Sequence, residues 1–250
     1  MLPPIDVPPN FRIIAHRGAS AYRPENTRSA FDLAVMMGVT EIETDTQLTI
    51  DGQVVLCHDT SLARYGYPHH QPESMVWADL AEFDFGSWFS PYSFTGERMI
   101  TLANLFETYG SQFTYHIELK GQAPNLPQQV HQTISRFQLA DYCIITSFSF
   151  EMLTKMRQVA PSYRLGWLVQ DISDTVLQEA ESLKLFQLCP LANRVDADLV
   201  QKAKLIVSEV RAWGMRGTPQ EVRGLISRIV EAGCDGMTID WPDWATNQAE

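Results

Sequence analysis

Apolar runs short enough for strands alternate with segments of helical period along most of the chain. Phe11 to Ala15 predicts a first strand ending on His16. A helix follows from about Thr27 to Met37, with Asn26 as its N-cap, Phe31, Ala34 and Met37 on one face, and Gly38 at its stop. Glu41 to Leu48 predicts the second strand, and Asp51-Gly52 a tight turn into the arm Gln53 to Cys57, which brings His58 back toward that strand's end. Alternation resumes at Thr101. Strands are expected at Phe113 to Leu119, Tyr142 to Thr146, Tyr163 to Val169, Phe186 to Cys189, Leu205 to Val210 and Gly236 to Ile239. Helices are expected at Thr101 to Tyr109, Pro127 to Phe137, Phe150 to Val159, Asp174 to Leu183, Ala197 to Ala203 and Pro219 to Ala232.

Eight βα-type units predict an α/β fold of the (β/α)8 TIM-barrel class rather than an open doubly wound sheet, since no GxGxxG turn follows the first strand. Residues 60–100 break the pattern. They carry Tyr65, Tyr67, Trp77, Phe83, Phe85, Trp88, Phe89, Tyr92 and Phe94 among prolines and glycines, too aromatic for disorder and too irregular for one helix. They are expected to form a small insertion between strands two and three, over the barrel mouth, within a single domain of residues 1–250. The alternative is an excursion packed on itself that touches no ligand.

Active sites of such barrels lie at the carboxyl ends of the strands, where the polar clusters fall. On the second strand Glu43 and Asp45 share a face, ~7 Å apart along the strand, while Ile42 and Thr44 face away. On the third, Glu118 and Lys120 share a face. Three carboxylates from neighbouring strands form a hard oxygen site suited to Mg²⁺ or Ca²⁺ rather than zinc. The competing reading pairs Glu43 or Asp45 with Lys120 or Arg17 as structural ion pairs. His16 and His58 sit at strand ends, placed to act as an acid and base pair, with Asp59 either orienting the His58 ring or capping the next segment. Arg17 offers a planar fork of donors for phosphate oxygens and Lys120 a point charge. Trp213 is expected to wall a small polyol or to pack at the rim. Asp240 is expected to tie the loop Trp241-Pro242-Asp243, and His116, His69 and His70 to be structural.

A net charge of -11 in 250 residues argues against nucleic-acid partners and anionic lipid surfaces. No apolar run approaches the ~18 residues that span a bilayer. The four cysteines are widely spaced without a CxxC pair, and the proline-rich Met1 to Asn10 lacks the charge and apolar run of a targeting signal. Reduced thiols and a cytoplasmic location are expected.

His16-Arg17-Gly18, Pro24-Glu25-Asn26-Thr27, Glu43-x-Asp45, Asp51-Gly52, His58-Asp59 and Glu118-Leu119-Lys120 together resemble the signature set of the glycerophosphodiester phosphodiesterase family. The likeness continues through Phe85 to Phe89, Thr101-Leu102, Thr146-Ser147-Phe148 and Cys234 to Asp243, in order. It departs at Trp213-Gly214-Met215-Arg216, where the family continues with a small segment ending in asparagine, and at Pro190 to Leu205, which lacks a glycine the family often carries. The resemblance implies a barrel with an insertion, hydrolysing glycerophosphodiesters to glycerol 3-phosphate and an alcohol with Mg²⁺ or Ca²⁺. It assigns metal binding to Glu43, Asp45 and Glu118, proton exchange to His16 and His58, and phosphate binding to Arg17 and Lys120. A small-molecule phosphodiester is the expected partner, with oligomeric state left open. Two other readings share these residues: a lysophospholipase D acting on acylated substrates, and an inactive phosphodiester-binding protein.

Overall fold

The computed structural model describes residues 3–247. Eight parallel strands close into a barrel: β1 (Arg12–His16), β2 (Glu41–Leu48), β3 (Thr114–Leu119), β4 (Cys143–Ser147), β5 (Arg164–Val169), β6 (Gln187–Pro190), β7 (Glu209–Ala212) and β8 (Gly236–Ile239). Each pairs with its chain neighbours, and β8 and β2 both flank β1, which completes the ring. Among the described residues seven helices of eight residues or more are interleaved, besides the four-residue Trp77–Leu80 of the insertion: α1 (Arg28–Met36), α2 (Leu102–Tyr109), α3 (Leu126–Phe137), α4 (Phe150–Val159), α5 (Asp174–Ser182), α6 (Ala197–Lys204) and α7 (Pro219–Glu231). After β8 the described chain forms a short 3₁₀ turn, Pro242–Trp244, and then the strand Ala245–Thr246, paired with Ile5–Asp6. No helix among the described residues is long and apolar enough to cross a membrane.

The expected elements recur with small shifts, β2, α4 and β8 at the bounds the pattern gives. Two differences bear on the site. Strand β7 begins at Glu209, not Leu205: the apolar run Leu205-Ile206-Val207 follows the end of α6, where Leu205 is 87% exposed and Val207 packs into the core. The cap of α1 is Thr27, not Asn26, whose positive φ of 57° takes it out of the helix approach. Asn26 turns its amide into the barrel instead.

Helices and strand backs share one apolar core. Residues 60–100 form a second cluster, in which Leu62, Tyr65, Leu80, Phe85 and Met99 pack with Val55 and Cys57 of the hairpin arm. The barrel interior is polar. Across its amino-terminal end Arg12 bridges Glu41 and Glu209, Gln187 Nε2 donates to Glu209 at 3.0 Å, and His116 Nε2 donates to Glu41 at 2.9 Å. Burial drives His116 down to about 4, with the hydrogen bond to Glu41 opposing. Burial raises Glu41, but hydrogen bonds from His116 and Arg12 more than offset this and bring it to about 2.

Candidate active site

Register assembles the acidic cluster. Parallel pairing sets His16 beside Glu43 and Asp45 beside Glu118. One oxygen each from Glu43, Asp45 and Glu118 lies within 4.8 Å of the others, and all three residues are buried. Of the competing ion pairs one occurs, with Arg17 Nε 2.9 Å from Asp45 Oδ2, whereas Lys120 Nζ lies 3.1 Å from Glu118 Oε1 rather than against Glu43 or Asp45. They satisfy only part of the cluster, because Glu43 Oε2 and Asp45 Oδ1 are buried without a hydrogen-bond partner.

The electrostatics show the same deficit. Burial, with Asp45 and Glu118 adding to it, pushes Glu43 well above the usual carboxylate range. Burial and Asp45 carry Glu118 to about 7 despite Lys120. Burial also raises Asp45, but Arg17, His58 and Lys120 outweigh it and hold Asp45 at about 2. Orphaned hard oxygens converging on one point, under mutual repulsion, fit a divalent cation of the Mg²⁺ or Ca²⁺ kind.

Both strand-end histidines are held by an aspartate. His16 Nδ1 lies 2.5 Å from Asp240 Oδ1, and His58 Nδ1 lies 2.6 Å from Asp59 Oδ1. A carboxylate only accepts, so Nδ1 carries the proton in each ring and Nε2 is the nitrogen not engaged by the aspartate. His16 Nε2 stands 3.8 Å from Glu43 Oε2. Asp240 therefore orients His16, with Ser20 Oγ also donating to it at 3.3 Å, rather than serving its own loop. Burial lowers His58, opposed by Asp45 and Asp59.

The Pro24-Glu25-Asn26-Thr27 segment supports this arrangement. Arg17 and Gly18 both have positive φ, 56° and 80°, and a Cβ on Gly18 would lie 2.7 Å from the Ala30 backbone, so only glycine lets the turn sit against α1. Glu25 accepts from Arg17 Nη1 at 3.0 Å. Asn26 Nδ2 donates to Asp45 Oδ2 at 3.1 Å while its Oδ1 accepts from Thr44 at 2.8 Å. Arg17 is thereby bonded through Nη1 to Glu25 and drawn by charge at Nε toward Asp45. From the insertion, Arg64 reaches the partner of Arg17 and that of His58, with Nη2 at 2.5 Å from Glu25 Oε1 and Nε at 2.9 Å from Asp59 Oδ2. Glu73 accepts from the backbone of Gln122 and Ala123, just past Lys120. The insertion is therefore tied to the site's loops as well as packed on itself.

His16, Arg17, Glu43, His58, Glu118, Lys120 and Trp213 all line one cavity of about 230 Å³, with Asp45 buried beside it. Trp213 donates Nε1 to Val169 O and packs edge-on against Phe148, so its ring forms a wall. Thr146, Leu168, Arg211, Met215, Arg216 and Thr238, to which the sequence pattern assigns no site role, also line it. The signal for Arg211 was an inward position on a strand whose start was misplaced by four residues.

The sequence model of the glycerophosphoryl diester phosphodiesterase family matches residues 16–244. Bacillus subtilis YhdW is 31% identical over 236 residues, covering 93% of this chain and 95% of the relative. The glycerophosphodiester phosphodiesterase of Caldanaerobacter subterraneus is 29% identical over 239 residues, 94% of this chain and 96% of the relative. An Oleispira antarctica phosphodiesterase, solved with its product sn-glycerol-3-phosphate, shares the fold with a TM-score of 0.81 at 24% identity, covering 95% of this chain and 94% of that one.

Proposed function

The chain belongs to the glycerophosphoryl diester phosphodiesterase family, and from that premise we propose that it hydrolyses glycerophosphodiesters to glycerol 3-phosphate and an alcohol, with divalent-cation dependence and two histidines exchanging protons. The observation that carries this reading is one site that gathers three things: a crowded carboxylate triad with orphaned oxygens, two aspartate-held imidazoles, and two cationic side chains. An inactive binding protein would have no need of two oriented proton carriers.

Glu43, Asp45 and Glu118 would hold Mg²⁺ or Ca²⁺, which when bound supplies positive charge against the phosphate oxygens. Arg17, fixed by Glu25 and Asp45, and Lys120, drawn toward Glu118, hold the diester's non-bridging oxygens. Nε2 of one histidine takes the proton of the glycerol 2-hydroxyl as that oxygen bonds to phosphorus. The bond from phosphorus to the alcohol oxygen breaks, and Nε2 of the other histidine protonates the departing alcohol. Water then opens the cyclic phosphate with the two rings exchanging tasks. A nucleophile already tethered beside phosphorus avoids the entropy of capturing a second molecule. Free, buried thiols at Cys57, Cys143, Cys189 and Cys234 suit a reducing compartment, which supports a cytoplasmic location.

The test is release of glycerol 3-phosphate from glycerophosphocholine and glycerophosphoethanolamine in Mg²⁺ or Ca²⁺, with its loss in H16A and H58A. No release from any head-group diester would refute the reading. A diester lacking the 2-hydroxyl separates the routes, because undiminished turnover would mean that water attacks phosphorus directly.

A further inference from the structure

A second depression, of about 430 Å³, opens beside the active-site cavity and shares Glu118, Lys120 and Phe148 with it. Beyond that common edge it runs over the loop after β3 and the start of α4, past Gln122, Glu151 and Lys155. The edge carries Lys120 and one carboxylate of the triad, so a phosphate held there borders both spaces. In phosphoryl transfer the attacking and leaving oxygens stand roughly in line across phosphorus. The glycerol arm, which brings the 2-hydroxyl, and the departing alcohol therefore point opposite ways from that edge. The active-site cavity, at about 230 Å³, is smaller than the ~300–1,000 Å³ that drug-sized ligands occupy. It has room for one arm, and the glycerol common to every such diester suits the enclosed space. The variable alcohol then falls to the neighbouring depression.

The side chains there say which alcohol. Lys155 Nζ lies 2.7 Å from Glu151 Oε1, one turn apart on α4, with the two side chains 35% and 76% exposed. An exposed pair of this spacing holds weakly, so hydroxyls can enter it at little cost. A carboxylate only accepts and an ammonium only donates, whereas a hydroxyl does both. Two adjacent hydroxyls therefore match the pair, one donating to Glu151 and its neighbour accepting from Lys155. Gln122 donates its backbone N–H to Glu73, and among the described residues its side-chain amide has no hydrogen bond, which leaves a donor and an acceptor for a further hydroxyl. A quaternary ammonium finds no such match. Glu151 is already neutralised by Lys155, and Lys120 Nζ stands 5.3 Å from the Phe148 ring centroid, where it takes the cation–π position.

We propose that this depression is the leaving-group subsite, and that Gln122, Glu151 and Lys155 select alcohols with vicinal hydroxyls, glycerol or a cyclitol, over quaternary-ammonium alcohols. This rests on the glycerophosphodiesterase reading above and names the alcohol end of its substrate.

The test compares kcat/KM of the wild-type chain on glycerophosphoglycerol, glycerophosphoinositol and glycerophosphocholine in the same divalent-cation buffer. The diol-bearing diesters are expected to exceed glycerophosphocholine by about 10-fold, the effect of hydrogen bonds to charged but solvent-exposed partners. E151A and K155A should each remove most of that preference while leaving glycerophosphocholine within about twofold, and K155R should retain part of it. A loss confined to glycerophosphoinositol identifies a cyclitol as the preferred alcohol, and a loss shared with glycerophosphoglycerol identifies the diol itself. Equal kcat/KM on all three diesters, or a preference unchanged in both alanine variants, overturns the subsite. Calorimetric binding of the intact diesters to H16A, with and without E151A, reads the same preference without turnover. If H16A binds the diol-bearing diesters more tightly through Glu151 while the wild type hydrolyses none of the three, the subsite stands and the enzymatic reading is refuted.

Discussion

Arg64 lies in the insertion, outside the cavity lining, yet it reaches the partners of two residues in it. Replacing it with methionine keeps an unbranched side chain over Tyr65 and Trp88, whose ring centroids lie 5.1 and 4.7 Å from the guanidinium carbon, and removes the charge. Lost are the paired bonds to Glu25, with Nη2 at 2.5 Å and Nη1 at 3.2 Å, and the contact of Nε with Asp59 at 2.9 Å. The Arg64 side chain is 31% exposed, so solvent screening limits these pairs together to about 1–2 kcal/mol. For a chain of this length that corresponds to a fall in melting temperature of roughly 2–8 °C. The effect on turnover follows from Asp59. With Arg64 absent, Asp59 keeps its bond to His58 but loses the contact fixing its other oxygen, so the ring Nε2 wanders. Displacement of about half an ångström at a reacting group implies roughly a tenfold loss in kcat. Steady-state kinetics on glycerophosphocholine would measure R64M, D59N and the double variant. If Arg64 acts through Asp59, the double variant is no slower than D59N, a coupling of about 1.4 kcal/mol. Strictly additive losses, or R64M within twofold of wild type, would refute the relay from insertion to histidine.

Adding Mg²⁺ or Ca²⁺ at about 100 times its dissociation constant should raise stability by about 2.7 kcal/mol, read as a rise in melting temperature that E43Q and D45N abolish; a shift surviving both substitutions would place the cation elsewhere. His116 gives a pH dependence of defined sign. Its pKa of about 4 in the fold against ~6.5 unfolded means that the unfolded chain binds the proton first, so stability is complete above ~6.5 and falls by up to about 3 kcal/mol as pH drops to 4. Urea unfolding at stepped pH would show that slope as the difference between wild type and H116Q, because the raised Glu118 and Glu43 act with the opposite sign in both. G18A should cost more than about 2 kcal/mol, from left-handed backbone strain added to the clash with Ala30, and should depress activity by shifting His16 and Arg17; an unchanged urea midpoint would contradict this.

Strand alternation made the acidic triad legible because a buried strand rarely carries charges on its inward face, and β2 carries Glu41, Glu43 and Asp45 there. The same rule misplaced β7. Hydrophobicity drew the strand toward Leu205, whereas the backbone enters the sheet at Glu209 and sends Glu209 and Arg211 inward. In a barrel with a polar interior, apolar runs mark helix ends as readily as strands. Asn26 was misread for a related reason: its residue type suits an N-cap, but its partners Asp45 and Thr44 lie 19 and 18 positions away in sequence, beyond any local rule. Asp240 is a longer case, 224 positions from the histidine it holds.

Alternation tells which face a side chain takes and is silent about what stands across the barrel. Glu43, Asp45 and Glu118 were grouped because two adjacent strands carry them, and register does set Asp45 beside Glu118. Arg211 and Thr238 come from strands that reach the site only when the ring closes at β8 and β1. The charge balance depends on that closure. Arg17 and Lys120 pair with Asp45 and Glu118, while Glu43 has the more distant pull of Arg17 and Arg211 and His16 Nε2 at 3.8 Å. Glu43 is therefore the carboxylate left for a cation to neutralise, and E43Q should weaken divalent-ion binding while sparing the Arg17–Asp45 pair. Ion titration followed by melting temperature tests this against E118Q, which also releases Lys120. E43Q should lose ion binding with little change in metal-free stability, and E118Q should lose both; equal metal-free destabilisation by the two would mean that Glu43 is already paired in the fold.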